Sequence, residues 1–277
     1  MAAAAVWRFS GGGSAKTGLG LLRPFFSLSV NSLFIASRQA EEKLSNSITV
    51  VIPAFNEERS LAQTVGVVRA AAKRAGMEYE VVIVDDCSTD RTPEIVRKLE
   101  QEQPGVRSVR HSVNLGLGAA YKTGVAAAGK AYVILVPGDD AWPEDALVRI
   151  LEKVGQADIV IPYIEVAGDK TAFRRALSRT YTAGINFLFR LHVPYYNGIV
   201  VHRTDLVRSI EIRADDFSYQ TEALVKLLRR GHSFVGVAAN TNARPGGQSK
   251  ALGMRNVIRV VSSVLRLFFS VHFSKRA

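Results

Sequence analysis

The chain has 277 residues and a formal net charge of +11 at pH 7, a value that on its own would suggest a nucleic-acid partner. The excess lies at the two ends, because residues 1–40 contain four Lys or Arg and no acid, and residues 249–277 contain six and no acid. The segment between them holds 26 basic and 25 acidic residues, which disfavours a nucleic-acid-binding protein, whereas basic ends suit a membrane surface. The single cysteine, Cys87, excludes an internal disulfide.

Residues 1–46 are predicted to form an N-terminal extension. Its first part is rich in Ala, Gly and Ser, and it has Arg and Ser without acids, which is typical of a targeting peptide. A poorly ordered extension is the alternative. The apolar stretch 25–36 is shorter than the ~20 residues that a membrane-spanning helix requires.

From residue 47 onward, short apolar runs alternate with segments of helical periodicity. Strands are predicted at 47–55, 79–86, 106–110, 131–137 and 157–163, and helices at 57–75, 92–102, 116–128 and 143–154. In the first helix Leu61, Val65, Val68 and Ala72 share one face, and the second is predicted to be capped by Thr92 with Pro93 at its first position. This alternation predicts an α/β fold with a parallel sheet and helices on both faces.

After residue 165 the alternation loosens. We predict helices at 173–191 and 219–230, strands at 198–202 and 233–239, and a basic loop, "RPGGQSK", at 244–250. Residues 47–250 would form one domain, followed by a helix within 251–277. That helix has a broad apolar side edged by arginines, which indicates a membrane-surface helix; docking on the body of the protein by the same side is the alternative.

Polar residues follow three of the predicted strands at the point where each ends. They are Asn56–Glu57, Asp85–Asp86 and Asp139–Asp140. Ligands of parallel sheets bind at the carboxyl ends of the strands, so we expect these side chains to line one cleft. Adjacent carboxylates repel one another and are costly to desolvate, so a positive group or water should meet them. For Asp86 and Asp90, turn-making and helix capping is the alternative reading.

A glycine-rich helix start adds a further element at this edge. Asn114, Gly116 and Gly118 precede a small-residue helix that carries Lys122. Glycines allow a backbone to approach a ligand closely, and a helix N-terminus favours an anion. Tight packing of the helix on the sheet is the alternative.

Five motifs together resemble a known family. "VVIPAFNEERSL", "VVIVDDCSTDRT", "NLGLGAAYKTGVAAA", the acidic turn after "VILV" and "RPGGQSK" are similar to those of the family-2 inverting glycosyltransferases, over about residues 47–250. Within that family the chain is most similar to the dolichyl- and polyprenyl-phosphate mannosyl- and glucosyltransferases. The resemblance implies the GT-A fold, with a mostly parallel central sheet, and sugar transfer from a nucleotide-diphosphate donor to a lipid-linked acceptor such as a polyprenyl phosphate. A non-lipid alcohol acceptor, or donor binding without turnover, remain alternatives.

The resemblance also implies site residues. The residues that would bind the nucleotide sugar are Pro53, Ala54, Asn56, Glu57, Asp85, Asp86, Asn114, Gly118 and Lys122. The residues that would bind the acceptor or the diphosphate are Arg174, Ser178, Arg244, Ser249 and Lys250. Asp139, Asp140 and Asp216 are the catalytic candidates, and Asp139 and Asp140 would hold Mg²⁺ or Mn²⁺ although Pro137 replaces the first Asp of the family's Asp-x-Asp motif.

Other predictions concern the remaining polar and aromatic residues. Asp215 and Glu222 are further candidates for a base near the acceptor, with helix capping as the alternative. His111, His192, His202 and His232 lack metal-ligand spacing and are interpreted as ordinary surface or strand residues. Trp142 either covers the sugar or acceptor pocket or packs beneath the helix that follows. The protein is predicted to be peripheral, at the cytoplasmic face of a membrane.

Overall fold

The computed structural model describes residues 46–164, 172–241 and 254–273. The predicted N-terminal extension, the loop with Arg244, Ser249 and Lys250, and the side chain of Arg174 lie outside the described residues. The boundaries predicted for the domains therefore stay predictions.

Seven strands and eight helices form in the described part of the chain. The strands are β1 (Ser47–Ala54), β2 (Glu78–Asp85), β3 (Val106–Arg110), β4 (Tyr132–Leu135), β5 (Ile159–Tyr163), β6 (Val201–Arg203) and β7 (Phe234–Ala238). The helices are α1 (Leu61–Arg74), α2 (Thr92–Glu102), α3 (Leu117–Ala127), α4 (Glu144–Leu151), α5 (Ala172–Phe189), α6 (Thr204–Arg208), α7 (Tyr219–Arg229) and α8 (Met254–Phe273).

The strands form one sheet in the order β3-β2-β1-β4-β6-β5-β7. β1 pairs in parallel with both β2 and β4, and β2 pairs in parallel with β3, so the ends of these four strands meet at one edge. The chain runs from β1 outward to β3 and then returns to place β4 on the other side of β1. That reversal of strand order creates the crevice in which open α/β sheets bind ligands.

Side chains of alternate strand residues pack in two hydrophobic cores, one on each face of the sheet. In β1, Ile48, Val50 and Ile52 face a core with α1, α2 and α4, whereas Val51 faces a second core with α3 and α5 through α8. The period of two along a strand causes this division. The predicted architecture, with helices on both faces of a mostly parallel sheet, is confirmed.

Three details differ from the sequence-based expectations. β6 runs antiparallel to β4 and β5, because a pattern of apolar residues specifies a buried strand but not its direction. The strand predicted at 198–202 is shorter and begins at Val201. Thr92 does not cap α2; Arg91 is the flanking residue, and the Thr92 hydroxyl accepts a hydrogen bond from the Glu57 amide at 2.9 Å instead.

Candidate functional site

The loops after β1, β2 and β4 bring their polar residues together at one edge of the sheet, as predicted. Asn56 is hydrogen-bonded to the loop after β2, and the turn after β4 packs against the loop after β1. Three of the loops that follow these strands contain a residue with left-handed backbone: Asn56 (φ 58°), Cys87 (φ 65°) and Asp140 (φ 52°). Such conformations are costly for residues other than glycine and cluster at functional sites. Their concentration at one edge of the sheet therefore marks this edge as the candidate site.

Hydrogen bonds between side chains and backbone brace the loop after β1 against the loop after β2. The Asn56 amide donates to Ser88 Oγ at 3.0 Å, and the Thr89 amide donates to Asn56 Oδ1 at 2.9 Å. One residue further, the Glu57 amide donates to Thr92 Oγ1. The residues shared by the two predicted motifs thus hold the two loops in a single arrangement.

Asp90 adds a further hydrogen bond between the two loops. Its Oδ1 accepts the Thr92 amide at 2.9 Å, and its Oδ2 accepts the Glu58 amide at 3.3 Å. Partial burial raises the pKa of Asp90, but the hydrogen bonds from Thr92 and Glu58 outweigh it, so the pKa lies below its usual value. The turn-making and capping role considered for Asp90 is the one that the structure shows.

Arg110 and His111, at the end of β3, meet the adjacent carboxylates of Asp85 and Asp86. Asp85 is opposite Arg110 in the β2–β3 register, and its Oδ2 lies 3.3 Å from Arg110 Nε. His111 Nδ1 lies 2.7 Å from Asp86 Oδ1. Both carboxylates are buried, and the ion pair with Arg110 and the hydrogen bond with His111 offset part of the cost of their desolvation; Asp85 Oδ2 accepts no hydrogen bond within the described residues.

The interpretation of His111 as an ordinary surface or strand residue was therefore wrong. Its side chain is only 8% exposed and lies between two polar partners, Asp86 and Thr123. Sequence reasoning also missed Arg110. Aligning "VVIVDD" with "VRSVRH" as neighbouring parallel strands would have placed both residues beside the acidic pair, but the strand order must be known first.

The Asp86 carboxylate occupies the start of α3. Its Oδ1 accepts the Leu115 amide and its Oδ2 accepts the Gly116 amide, each at 2.8 Å. Its backbone carbonyl accepts Asn114 Nδ2 at 3.3 Å, and its amide donates to Ala54 O at 2.9 Å. The residues predicted in the second and third motifs are thus brought together, with the side chain of Asp86 at their centre.

The close approach that the glycines allow is to the protein's own backbone. A Cβ on Gly118 would lie 2.6 Å from Ala214 O, and the Gly118 amide donates to Asp215 O at 2.8 Å. Lys122, one turn further along α3, forms an ion pair with Asp215 at 2.6 Å. Tight packing on the sheet, the alternative considered for this helix, is found at Gly124, where a Cβ would lie 2.3 Å from a methyl carbon of Val51 in β1. Nucleotide binding by Gly118 and Lys122 stays a prediction.

The acidic turn after β4 packs against the loop after β1. A Cβ on Gly138 would lie 3.1 Å from Pro53 O and 3.6 Å from Glu57 Cγ. The Asp140 amide donates to Thr64 Oγ1 on α1 at 3.1 Å. The turn therefore lies beside the loop after β1, with Asp139 and Asp140 both half-buried.

These two carboxylates fit a hard divalent cation in one particular way. No group of three or more His, Cys, Asp or Glu side chains in the described ranges is arranged to bind a metal. Mg²⁺, however, is commonly bound through one or two carboxylates together with water and substrate phosphates. Pro137 offers no side-chain oxygen, so Asp139 and Asp140 could supply at most two carboxylates, and other ligands would have to complete the coordination of an ion.

Trp142 belongs to the core rather than to a pocket. Its side chain is 7% exposed and packs in the core formed with α1 and α4. The packing role, one of its two predicted alternatives, is therefore correct.

The acids predicted near the acceptor are engaged in local contacts. Asp216 Oδ1 accepts the amide of Ser218 at 2.8 Å and the hydroxyl of the same residue, in a turn just before α7. Glu222 is buried; its Oε2 accepts the Ala214 amide at 2.9 Å and its Oε1 pairs with Lys226 at 2.6 Å. Asp216 thus stabilises the turn at the start of α7, and Glu222 holds the loop that precedes it. A catalytic role for Asp216 stays a prediction.

Of the residues predicted to bind the acceptor, Ser178 alone has a described side chain. It lies half-buried on α5.

The C-terminal helix α8 has apolar residues on two sides. Leu267 and Ser263 are buried against the body of the protein, and Val264, Phe268 and Val271 pack against the same core. The opposite side exposes a stripe at four-residue spacing, the α8 stripe, which consists of Val261, Leu265, Phe269 and Phe273. Both predicted alternatives, docking on the body and presenting an apolar face outward, are therefore compatible in one helix. Across the described ranges, none of the helices is both long enough and apolar enough to cross a bilayer.

Comparison with known proteins places these features in a family. Residues 49–211 match the family described as Glycosyl transferase family 2. The chain is 29% identical over 217 residues to an undecaprenyl-phosphate mannosyltransferase of Micrococcus luteus, covering 74% of this chain and 88% of that protein. It is 25% identical over 228 residues to a dolichol-phosphate mannosyltransferase of Pyrococcus furiosus, covering 79% of this chain but only 63% of that protein.

Solved structures show the same fold. Glucosyl-3-phosphoglycerate synthase from Mycobacterium tuberculosis, solved with Mn²⁺, uridine diphosphate and phosphoglyceric acid, superposes with a TM-score of 0.65. The two chains are 17% identical, and the match covers 82% of this chain and 80% of that one. The predicted GT-A fold and the predicted family resemblance are both confirmed.

Proposed function

The chain belongs to glycosyl transferase family 2, and from this premise we propose that it transfers a sugar, with inversion, from a nucleotide-diphosphate donor to a polyprenyl or dolichyl phosphate. The observation that carries the proposal is the meeting of three polar strand ends at one crevice. The loops after β1 and β2 are hydrogen-bonded to each other, and the acidic turn after β4 packs against the first of them.

The donor would lie across this edge of the sheet. Asn56, Glu57, Asp85 and Asp86 would line the nucleotide side of the crevice, and Asp139 and Asp140 would hold a divalent cation beside the diphosphate. Such an ion, when bound, neutralises charge that develops on the leaving diphosphate. A role for Lys122 in donor binding stays a prediction, since its ammonium group is paired with Asp215 at 2.6 Å.

A phosphate acceptor fits the described acids better than an alcohol acceptor does. An alcohol would need a carboxylate base to remove its proton, whereas a lipid phosphate is already an anion. Asp215, Asp216 and Glu222 are each occupied by Lys122, Ser218 or the backbone of the preceding loop. The relatives from Micrococcus and Pyrococcus are likewise named for undecaprenyl-phosphate and dolichol-phosphate.

We also propose that the protein acts as a peripheral protein at the cytoplasmic face of a membrane. The α8 stripe presents four apolar side chains outward, each more than half exposed. Residues 249–277 contain six Lys or Arg and no acid, so this part of the chain is attracted by anionic lipids. Burial of the stripe at a lipid surface would hold the protein on the membrane that contains such an acceptor.

An Asp139→Asn variant tests the site. We expect transfer to fall by at least ~100-fold, because a carboxylate beside the leaving diphosphate is lost, with an unchanged unfolding transition. Asp145→Asn is the matched control: this exposed acid of α4 pairs with Arg74 at 2.7 Å, away from the crevice, and should keep full activity. Full activity in Asp139→Asn would contradict the assignment of this side chain.

An acceptor panel tests the reaction. Purified protein would be given UDP-glucose or GDP-mannose with undecaprenyl phosphate, the corresponding free alcohol, or phosphoglyceric acid, with and without Mn²⁺. The proposal expects transfer to the lipid phosphate. Preference for the alcohol or for phosphoglyceric acid would assign a different acceptor, and donor binding without transfer to any of them would favour a binding protein.

A further inference from the structure

His111 links the second acidic motif to helix α3. Its ring lies between Asp86 and Thr123, with Nδ1 at 2.7 Å from Asp86 Oδ1 and Nε2 at 2.9 Å from Thr123 Oγ1. A neutral imidazole satisfies both contacts, because Nδ1–H donates to the carboxylate and Nε2 accepts the threonine hydroxyl. The ring is therefore held at both ends, and its side chain is only 8% exposed.

The contacts of Asp86 explain why its orientation matters. Oδ1 accepts from His111 and from the Leu115 amide, and Oδ2 accepts from the Gly116 amide. An ionised carboxylate offers about four lone-pair sites, so within the described part of the chain these three donors leave one site, on Oδ2, for a further donor. Rotation of the carboxylate would redirect that remaining site.

We propose that His111 is a positioning residue for donor binding: it holds the Asp86 carboxylate so that the remaining Oδ2 site faces the nucleotide. The inference rests on the proposed function, because it assumes that the crevice binds a nucleotide sugar. His111 itself does not touch the donor. Its effect should therefore appear in donor affinity and in the donor KM, and much less in kcat.

Three substitutions separate the contacts at the two ends of the ring. In His111→Asn the amide nitrogen takes the place of Nδ1 and can still donate to Asp86, whereas in His111→Gln the amide reaches the position of Nε2 and the contact with Asp86 is lost. Thr123→Val is nearly isosteric and removes the outer contact alone. We expect donor Kd to rise about tenfold in His111→Gln, which loses a hydrogen bond to a charged group. His111→Asn should stay within about threefold of the wild type, and Thr123→Val should rise about threefold.

The measurements are calorimetric titration of the full-length protein with UDP-glucose and with GDP-mannose, steady-state kinetics, and thermal unfolding of each variant. Recovery of donor affinity in His111→Asn but not in His111→Gln, with kcat within about twofold, supports the inference. Equal donor affinity in His111→Gln and the wild type would overturn it. It would also be overturned if all three variants lost affinity in proportion to their loss of thermal stability, since that is the result of a merely structural role.

The same titrations distinguish this inference from the proposed function. If the wild-type protein bound neither nucleotide sugar, with or without Mn²⁺, the proposed function and the role of His111 would both fail. If the wild type bound one of the two nucleotide sugars, and His111→Gln and Thr123→Val bound it with the same affinity as the wild type, only the role of His111 would fail.

Discussion

Gly124 is a position at which α3 packs closely on the sheet, and adding one methyl group there should destabilise the protein. A Cβ at Gly124 would lie 2.3 Å and 2.5 Å from the two terminal methyl carbons of Val51 in β1, far inside van der Waals contact. Val51 is fully buried, and its β-branched side chain has few rotamers in which to escape. Gly124→Ala should therefore force α3 away from the sheet.

The expected size follows from two opposing effects. Alanine in a helix interior is favoured over glycine by about 1 kcal/mol, whereas overpacking a core costs about 1–3 kcal/mol. With two contacts this short we take the upper end, so the free energy of unfolding should fall by about 2 kcal/mol, or about 4–8 °C in Tm. Gly66→Ala in α1 is the control, because its Cβ would meet nothing within 4 Å; it should gain up to about 1 kcal/mol.

Urea unfolding followed by circular dichroism measures both variants. A second test introduces Val51→Ala, which removes the two methyl carbons that the added methyl group would strike. In that background Gly124→Ala should cost at least about 1 kcal/mol less than in the wild type, since contacting residues are not additive. Additive costs, or a Gly124→Ala protein as stable as Gly66→Ala, would refute the explanation from close packing.

Two further predictions concern His202 and the α8 stripe. Burial lowers the pKa of His202 to about 3, so the folded protein keeps this side chain neutral while the unfolded chain binds a proton below about pH 6.5. The free energy of unfolding should therefore fall by about 1.6 kcal/mol between pH 6.5 and pH 5. In urea unfolding at both pH values, His202→Gln should lack this part of the loss. Equal losses in the two proteins would contradict it. For the stripe, the double variant Leu265→Glu with Phe269→Glu loses two exposed apolar side chains, so its affinity for anionic vesicles in a sedimentation assay should fall at least about tenfold. The control Ser262→Glu adds a charge without removing apolar area, and its affinity should fall less. Similar binding by all three proteins would show that the stripe does not meet the membrane.

Much of the fold and part of the site were predictable from the sequence because both depend on local pattern. The four residues predicted to share one face of α1 are all buried, since a period of 3.6 residues determines which side a helix can bury. The grouping of Asn56, Asp86 and Asp139 followed from the position of each motif at the end of an apolar run, because parallel strands bring those ends to the same edge.

Other parts of the site depended on strand order and on loop paths. His111 looks ordinary in the sequence, and it meets Asp86 only because β3 lies beside β2. Gly118 has the sequence signature of a ligand-approaching glycine, but the loop at residues 214–215 fills the space beside it. The direction of β6 was equally hidden, since burial on both faces leaves the same pattern in either direction.

The sequence by itself determined the element order, the two apolar faces of the sheet and the polar residues at its carboxyl edge, because each depends on spacing along the chain. The tertiary structure decided how those polar residues are partnered: Asp85 with Arg110, Asp86 with His111 and with the start of α3, and Lys122 with Asp215. The physical reason is that buried or close-set charges need partners at hydrogen-bonding distance, and the distance between residues remote in the chain is set by how strands and loops pack.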